Sequence, residues 1–165
     1  MTTKYEPVKV EYINPFVTAA VKVFGTMLNC QLKRGQPYLK RNAQPDYEIS
    51  GVIGLTGKAN GTVVLSFSRD TAIQATATML GERPEELNND VVDTIGELAN
   101  MVAGSAKTEL EQFAMSISLP SVIIGKNHTV AFPRGVTPIG IPFECDWGSL
   151  CLDVGLCEAT SDQSA

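Results

Sequence analysis

Apolar residues recur at every third or fourth position over two long stretches of the chain, and fall into short runs elsewhere. In "NPFVTAAVKVFGTML" the recurring residues are Phe16, Ala20, Val23 and Met27, which predicts a helix with one face in the core. Asn14 is its expected N-cap and Pro15 its first helical residue, where a missing N–H costs nothing. A longer stripe of Ile95, Ala99, Val102, Ala106, Leu110 and Phe113 predicts a main helix running to about Phe113, capped by Asn89 or Asp90. Between them "RDTAIQATATMLG" predicts a shorter helix, capped by Asp70 or Thr71 and ended by Gly81.

The remaining apolar runs read as strands. "DYEISGVIGLTG" and "NGTVVLSFS" form an expected hairpin with Asn60–Gly61 as the turn. "SISLPSVIIG", "HTVAFP" and "IGIPFECDWGSLCLDVGL" predict further strands, with Asp146–Trp147–Gly148 turning a second hairpin. The two hairpin segments, 54–68 and 140–155, echo each other: a Gly start, a Gly-Thr or Gly-Ser turn exit and a closing apolar strand. Each follows a long helix. A helix-plus-hairpin unit used twice gives an α+β fold, pseudo-duplicated, with long helices packed on a mostly antiparallel sheet. We expect a single domain over residues 1–157 and a disordered tail over 158–165.

Composition narrows the function more than the fold. The 165 residues are enough for one domain with a real core. A net charge of −5 argues against a nucleic-acid binder, which needs clustered Lys and Arg. Only "LKRGQPYLKR" (32–41) is locally basic, and Gly35 and Pro37 make it read as a solvated connection. No run approaches the roughly 18 apolar residues of a membrane span, and the amino terminus lacks a leader-like apolar region, so a cytoplasmic protein is expected. Cys30, Cys145, Cys151 and Cys157 have no CxxC spacing and one histidine, His128, for company. Reduced thiols and no metal site are the expectation. His128 itself reads as a surface or strand-end residue, Trp147 as a turn-packing aromatic, and the glycines of "GVIGLTGKANG" as strand bends and a turn rather than a phosphate loop.

Opposite the apolar stripe of the main helix, Asp93, Glu97, Asn100, Gly104, Lys107 and Glu111 also step by three or four. Glu97 and Asn100 are therefore neighbours on the outward face. A solvated helix face explains most polar stripes. Here Asn and Gly are both poor helix formers, and solubility alone would favour Ala, Glu or Lys. Gly104, one turn beyond Asn100, leaves the backbone bare for a partner's approach. Setting Gly25 against Gly104 in the duplicated unit places Thr18 and Val21 opposite Glu97 and Asn100, so the first helix lacks the pair and one site is expected. Gly96 is left to close packing near the helix start.

"DTIGELANMVAGSAK", with its E-x-x-N centre, resembles the signature helix of the CheC/CheX/FliY phosphatases of bacterial chemotaxis. "NPF", "GVIGLTG…GTVVLSFS" and "IPFE…G" match the same family in the same order, over roughly residues 10 to 156. The single E-x-x-N brings the chain nearest to the CheX members. The resemblance implies the CheC-like fold, a homodimer paired through its sheets, and hydrolysis of the aspartyl phosphate of a CheY-type receiver. It implies Glu97 and Asn100 as the catalytic pair, with Mg2+ supplied by the phosphorylated receiver and no cofactor of the chain's own. Asn100 would place the attacking water and Glu97 would pair with the receiver's lysine; a general-base role for Glu97 is less favoured. Gly104, Asp93, Lys107 and Glu111 would form the contact surface. Two other readings stay open: a non-catalytic interaction module of the same fold, and a small-ligand sensor, which requires an enclosed pocket.

Overall fold

The first helix, α1 (Asn14–Leu28), starts where Pro15 fixes a helical φ. It ends at Asn29, whose left-handed backbone (φ 48°) lets the Cys30 N–H reach the Phe24 carbonyl at 3.1 Å. The N-cap is Ile13 rather than Asn14, with no side-chain cap, because a 3-10 turn over Val10–Tyr12 runs directly into the helix. Phe16, Ala20 and Val23 are buried as expected, but Met27 is 45% exposed and Phe24 and Leu28 take the inner line. These observations come from a computed structural model describing residues 4–7, 10–42, 44–126 and 128–160.

The other two helices begin slightly before the caps expected from sequence. Ser68 caps α2 (Arg69–Leu80), accepting the Thr71 N–H on its hydroxyl, and Gly81 ends it at φ 76°. Asn88 caps α3 (Asn89–Thr108), accepting the Val91 N–H on Oδ1 at 3.2 Å. In each case the capping residue is the one with extended backbone, which frees its side chain to turn onto the N–H of the third helical residue. The main helix stops at Thr108, not Phe113; Glu111–Phe113 form a 3-10 turn. Leu110 and Phe113 stay in the core all the same, since a 3-10 turn keeps residues three apart on one face.

Among the described residues, nine strands form one antiparallel sheet: β1 (Lys4–Pro7), β2 (Lys33–Arg34), β3 (Tyr38–Leu39), β4 (Ile49–Thr56), β5 (Ala59–Phe67), β6 (Ser116–Ile117), β7 (Ser121–Ile124), β8 (Ile139–Cys145) and β9 (Gly148–Thr160). The order is β2-β8-β9-β5-β4-β6, with β7 also on β4, β3 on β8 and β1 on β9. Both expected hairpins are present, and they bring β5 and β9 side by side with Val63 opposite Val154. The first hairpin turns at Gly57–Lys58 rather than Asn60–Gly61. Gly61 is held within β5 by its neighbour: a Cβ there would lie 2.2 Å from Leu156 Cδ2 and 2.4 Å from the Gly155 carbonyl.

"HTVAFP" is not a strand. It crosses the sheet's second face, and a Cβ on Gly155 would meet the Phe132 ring at 2.6 Å. The expected tail at 158–165 is strand over Glu158–Thr160, where β9 pairs with β1; residues 161–165 lie outside the described part.

Alternation sends Ile53, Leu65, Phe67, Phe143, Leu152 and Val154 toward the helices, with Phe67 stacked on Phe24 at 6.0 Å. The opposite face holds a polar network. Lys40, 4% exposed, reaches Asp153 Oδ2 at 2.6 Å and Asp46 Oδ1 at 3.6 Å. Tyr38 donates its hydroxyl to Asp46, and Cys151 Sγ lies 3.4 Å from Asp153 Oδ1. The basic stretch 32–41 is exposed as expected over Lys33–Leu39 and at Arg41, but Lys40 departs from that reading. The stretch contributes two short edge strands on β8 and a buried cation, which reading its charges as surface charges missed. Burial pushes the Asp153 carboxyl up from the usual carboxylate range, even with Lys40 beside it. The four cysteines are free thiols, and burial pushes Cys30 up to about 12.

Candidate active site on the main helix

The position of α3 is set by glycines on two sides. Beneath it, Gly51 of β4 admits the helix: a Cβ there would lie 2.8 Å from Ala99 Cβ and 3.1 Å from the Ile95 carbonyl. At its flank, a Cβ on Gly96 would meet Val122 Cγ2 at 3.3 Å and Pro120 Cγ at 3.6 Å. Gly96 thus permits close packing against β7 and the residues before it. With the inner face committed through Ile95, Leu98, Ala99, Val102, Ala103 and Ala106, the remaining positions must point outward.

Glu97, Asp93 and Glu111 are exposed, while Asn100, Gly104 and Lys107 are half-buried. Among the described residues, the Glu97 and Asn100 side chains have no hydrogen-bond or ion-pair partner within the chain. An acid and an amide thus stand one helical turn apart with their polar atoms free for something outside the chain. Glu111 belongs to the 3-10 turn rather than to α3, yet with Lys107 and Gly104 it walls an open groove of ≈ 540 Å³ facing Met115 and Ile117. A Cβ on Gly104 would find only Ile117 Cδ1, at 3.9 Å, so the helix backbone there is open as expected.

Sequence reasoning missed the segment that borders this face. Residues 117–120, the end of β6 and the link to β7, run along the flank of α3 from Gly104 to Gly96. Ser118 pins the segment to β4: its N–H donates to the Gly54 carbonyl at 2.9 Å, and its Oγ accepts the Gly54 N–H at 2.8 Å. The same hydroxyl donates to the Leu119 carbonyl at 2.9 Å. Only a contact between elements distant in sequence places this segment here, so no local pattern signals it.

The corresponding face of α1 carries Thr18 and Val21, both exposed, and Gly25 with open space around it. It has the frame of the site without the acid–amide pair. His128 is half-buried beyond β7, with Nδ1 2.9 Å from the Gly125 carbonyl and a buried Nε2 that has no partner among the described residues. It lines an open pocket with Asp46, Glu48 and Ser68, and among the described residues no hydrogen bond joins its ring to any of the three. Asp46, Cys151 and Asp153 could group ligand atoms around a cation, but the Lys40 ammonium already sits against both carboxylates. The cavities beside Phe132, His128, Gly104 and Arg83 are open to solvent. Among the described residues, no helix is long and apolar enough to cross a membrane.

Residues 49–144 match the family model described as chemotaxis phosphatase CheX. The chain is 27% identical over 118 residues to the CheY-P phosphatase CheX of Thermotoga maritima, covering 70% of this chain and 76% of that one. A CheC-like superfamily protein from Shewanella sp. PV-4 superimposes with a TM-score of 0.81 at 34% identity, covering 90% of this chain and 99% of the other. A chain from the CheX–CheY–BeF3–Mg2+ complex of Borrelia burgdorferi superimposes with a TM-score of 0.77 at 25% identity, again over 90% and 99%. The fold is CheC-like, and the chain belongs to the CheX family of chemotaxis phosphatases.

Proposed function

We propose that the chain dephosphorylates a CheY-type receiver, and that Glu97 and Asn100 carry the reaction. The observation that carries this reading is the pair itself: two polar side chains without partners among the described residues, on the outward face of a helix whose depth and rotation are fixed by packing. The relative from Thermotoga maritima is a CheY-P phosphatase, and the Borrelia burgdorferi relative was solved with CheY, BeF3 and Mg2+.

An aspartyl phosphate is a reactive mixed anhydride, so the enzyme's task is to position water rather than to activate it strongly. Asn100 Oδ1 accepts one water O–H and the amide N–H donates to the water's lone pair, holding the oxygen in line with phosphorus. Glu97 enters beside it and pairs with a cation of the receiver, setting the register of docking. Mg2+ comes with the receiver and neutralises phosphoryl charge; the chain contributes no metal of its own. Asp93, Gly104, Lys107 and Glu111 form the contact surface, with Gly104 allowing the receiver's backbone close to the helix. Two copies pair as a homodimer through their sheets, leaving each α3 face free, and the protein works in the cytoplasm.

A non-catalytic adaptor of the same fold would bind the receiver and leave its phosphate alone. Substoichiometric protein added to a phosphorylated receiver separates the two. The phosphatase releases several equivalents of phosphate per chain, faster than spontaneous decay; the adaptor leaves the decay at its spontaneous rate.

A further inference from the structure

Leu119 is 89% exposed, the most exposed large apolar side chain among the described residues. A leucine held so far into water gains nothing for the fold, and isolated apolar side chains at a surface are ordinary. This one is distinguished by where it stands and how it is held. Ile117 approaches Gly104 and Pro120 approaches Gly96, at 3.9 and 3.6 Å from the positions a Cβ would take. These two contacts bracket Asn100 along the helix, so Ser118 and Leu119 cross the flank of α3 at the level of the amide. Asn100 is only half-buried and Glu97, turned away from that flank, is exposed, as this placement requires.

The segment is also braced. Ser118 makes three hydrogen bonds, two to Gly54 and one to the Leu119 carbonyl, and Pro120 fixes φ immediately after the leucine. A partner docking on it has little backbone freedom left to freeze.

We propose that Leu119 is an apolar anchor for the phosphorylated receiver, buried against an apolar patch beside the receiver's acyl phosphate when Asn100 reaches the phosphoryl group. This rests on the phosphatase reading, and it assigns binding to a residue outside the helix that carries the chemistry. A macromolecule close enough to share one water with Asn100 must pass over the neighbouring flank, where Leu119 stands out from the surface. Burying an exposed leucine contributes on the scale that separates anchors from neutral contacts. The anchor acts on docking and not on the reacting atoms, so its removal belongs in KM rather than in kcat.

The experiment compares wild type, Leu119→Asp, Leu119→Met, Asn100→Ala and Leu80→Asp in steady-state hydrolysis of the phosphorylated receiver. Binding of the fluoroberyllate-loaded receiver is measured alongside. Leu80, on α2, is 56% exposed and serves as a control for adding an acid at an apolar surface position. Leu119→Asp is expected to raise KM and weaken binding roughly tenfold or more with kcat within about twofold. Leu119→Met and Leu80→Asp should remain near wild type, and Asn100→Ala should show the reverse split. An unchanged KM and affinity in Leu119→Asp, beside an inactive Asn100→Ala, overturns the anchor and leaves the phosphatase reading standing. A change in self-association without a change in KM also overturns it, assigning the leucine to contacts between copies. If wild type binds the receiver and does not hydrolyse it, the phosphatase reading fails, and the anchor fails as a feature of that reaction.

Discussion

Asn100→Ala is expected to lower the saturating rate of receiver dephosphorylation by about two orders of magnitude, with the affinity for the receiver nearly unchanged. The amide offers an acceptor and a donor at a fixed separation, and with no partner among the described residues both are left for the water. Alanine is a better helix former than asparagine, so the variant should fold at least as well as wild type. A fall in rate therefore reports the chemistry and not damage to α3. Asn100→Asp sharpens the point: the volume is kept, but the N–H donor is lost and a negative charge is placed toward a phosphoryl group. It should be no better than alanine. The check is single-turnover decay at saturating protein, beside equilibrium binding of the fluoroberyllate-loaded receiver.

The largest expected effect on stability lies on the other face of the sheet. Lys40→Met should destabilise the protein by about 3–5 kcal/mol, because Asp153, 2% exposed, then loses its cation in a place water does not reach. Asp46 cannot compensate, since it carries the same charge. The double variant Lys40→Met with Asp153→Leu should recover much of the loss, since it removes the stranded carboxylate together with its partner. Urea unfolding of the three proteins measures this directly. Equal midpoints for wild type and Lys40→Met would show that the pair contributes nothing to the fold.

That network illustrates what the sequence hides. The apolar periodicities of α1 and α3, the two hairpins and the pseudo-duplication were legible because each is a local pattern. Lys40 was not: a lysine in "LKRGQPYLKR" looks solvated until β8 and β9 bring Asp153 beneath it. The Asn60–Gly61 turn failed for a similar reason. Asn-Gly is a strong turn signal, but Gly61 is fixed within its strand by the approach of β9, and the chain reverses three residues earlier, at Gly57–Lys58. The end of α3 was overrun because Leu110 and Phe113 keep the apolar phase through a 3-10 turn.

The site divides in the same way. Glu97, Asn100 and Gly104 share one helix, so spacing alone places them on one face. Gly96, left at the level of sequence to close packing near the helix start, has Pro120 and Val122 packed against it, which no local pattern names. The braced residues 117–120 beside Asn100 belong to a different part of the chain, and no periodicity connects them with it.

The central claim is tested most directly by the time course of a phosphorylated receiver at saturating protein, with complex formation measured in the same samples. The account predicts that wild type accelerates phosphate release above the spontaneous rate and that the Glu97→Ala, Asn100→Ala double variant returns it to that rate. A complex that forms while the phosphate decays at its spontaneous rate with wild type would contradict the account.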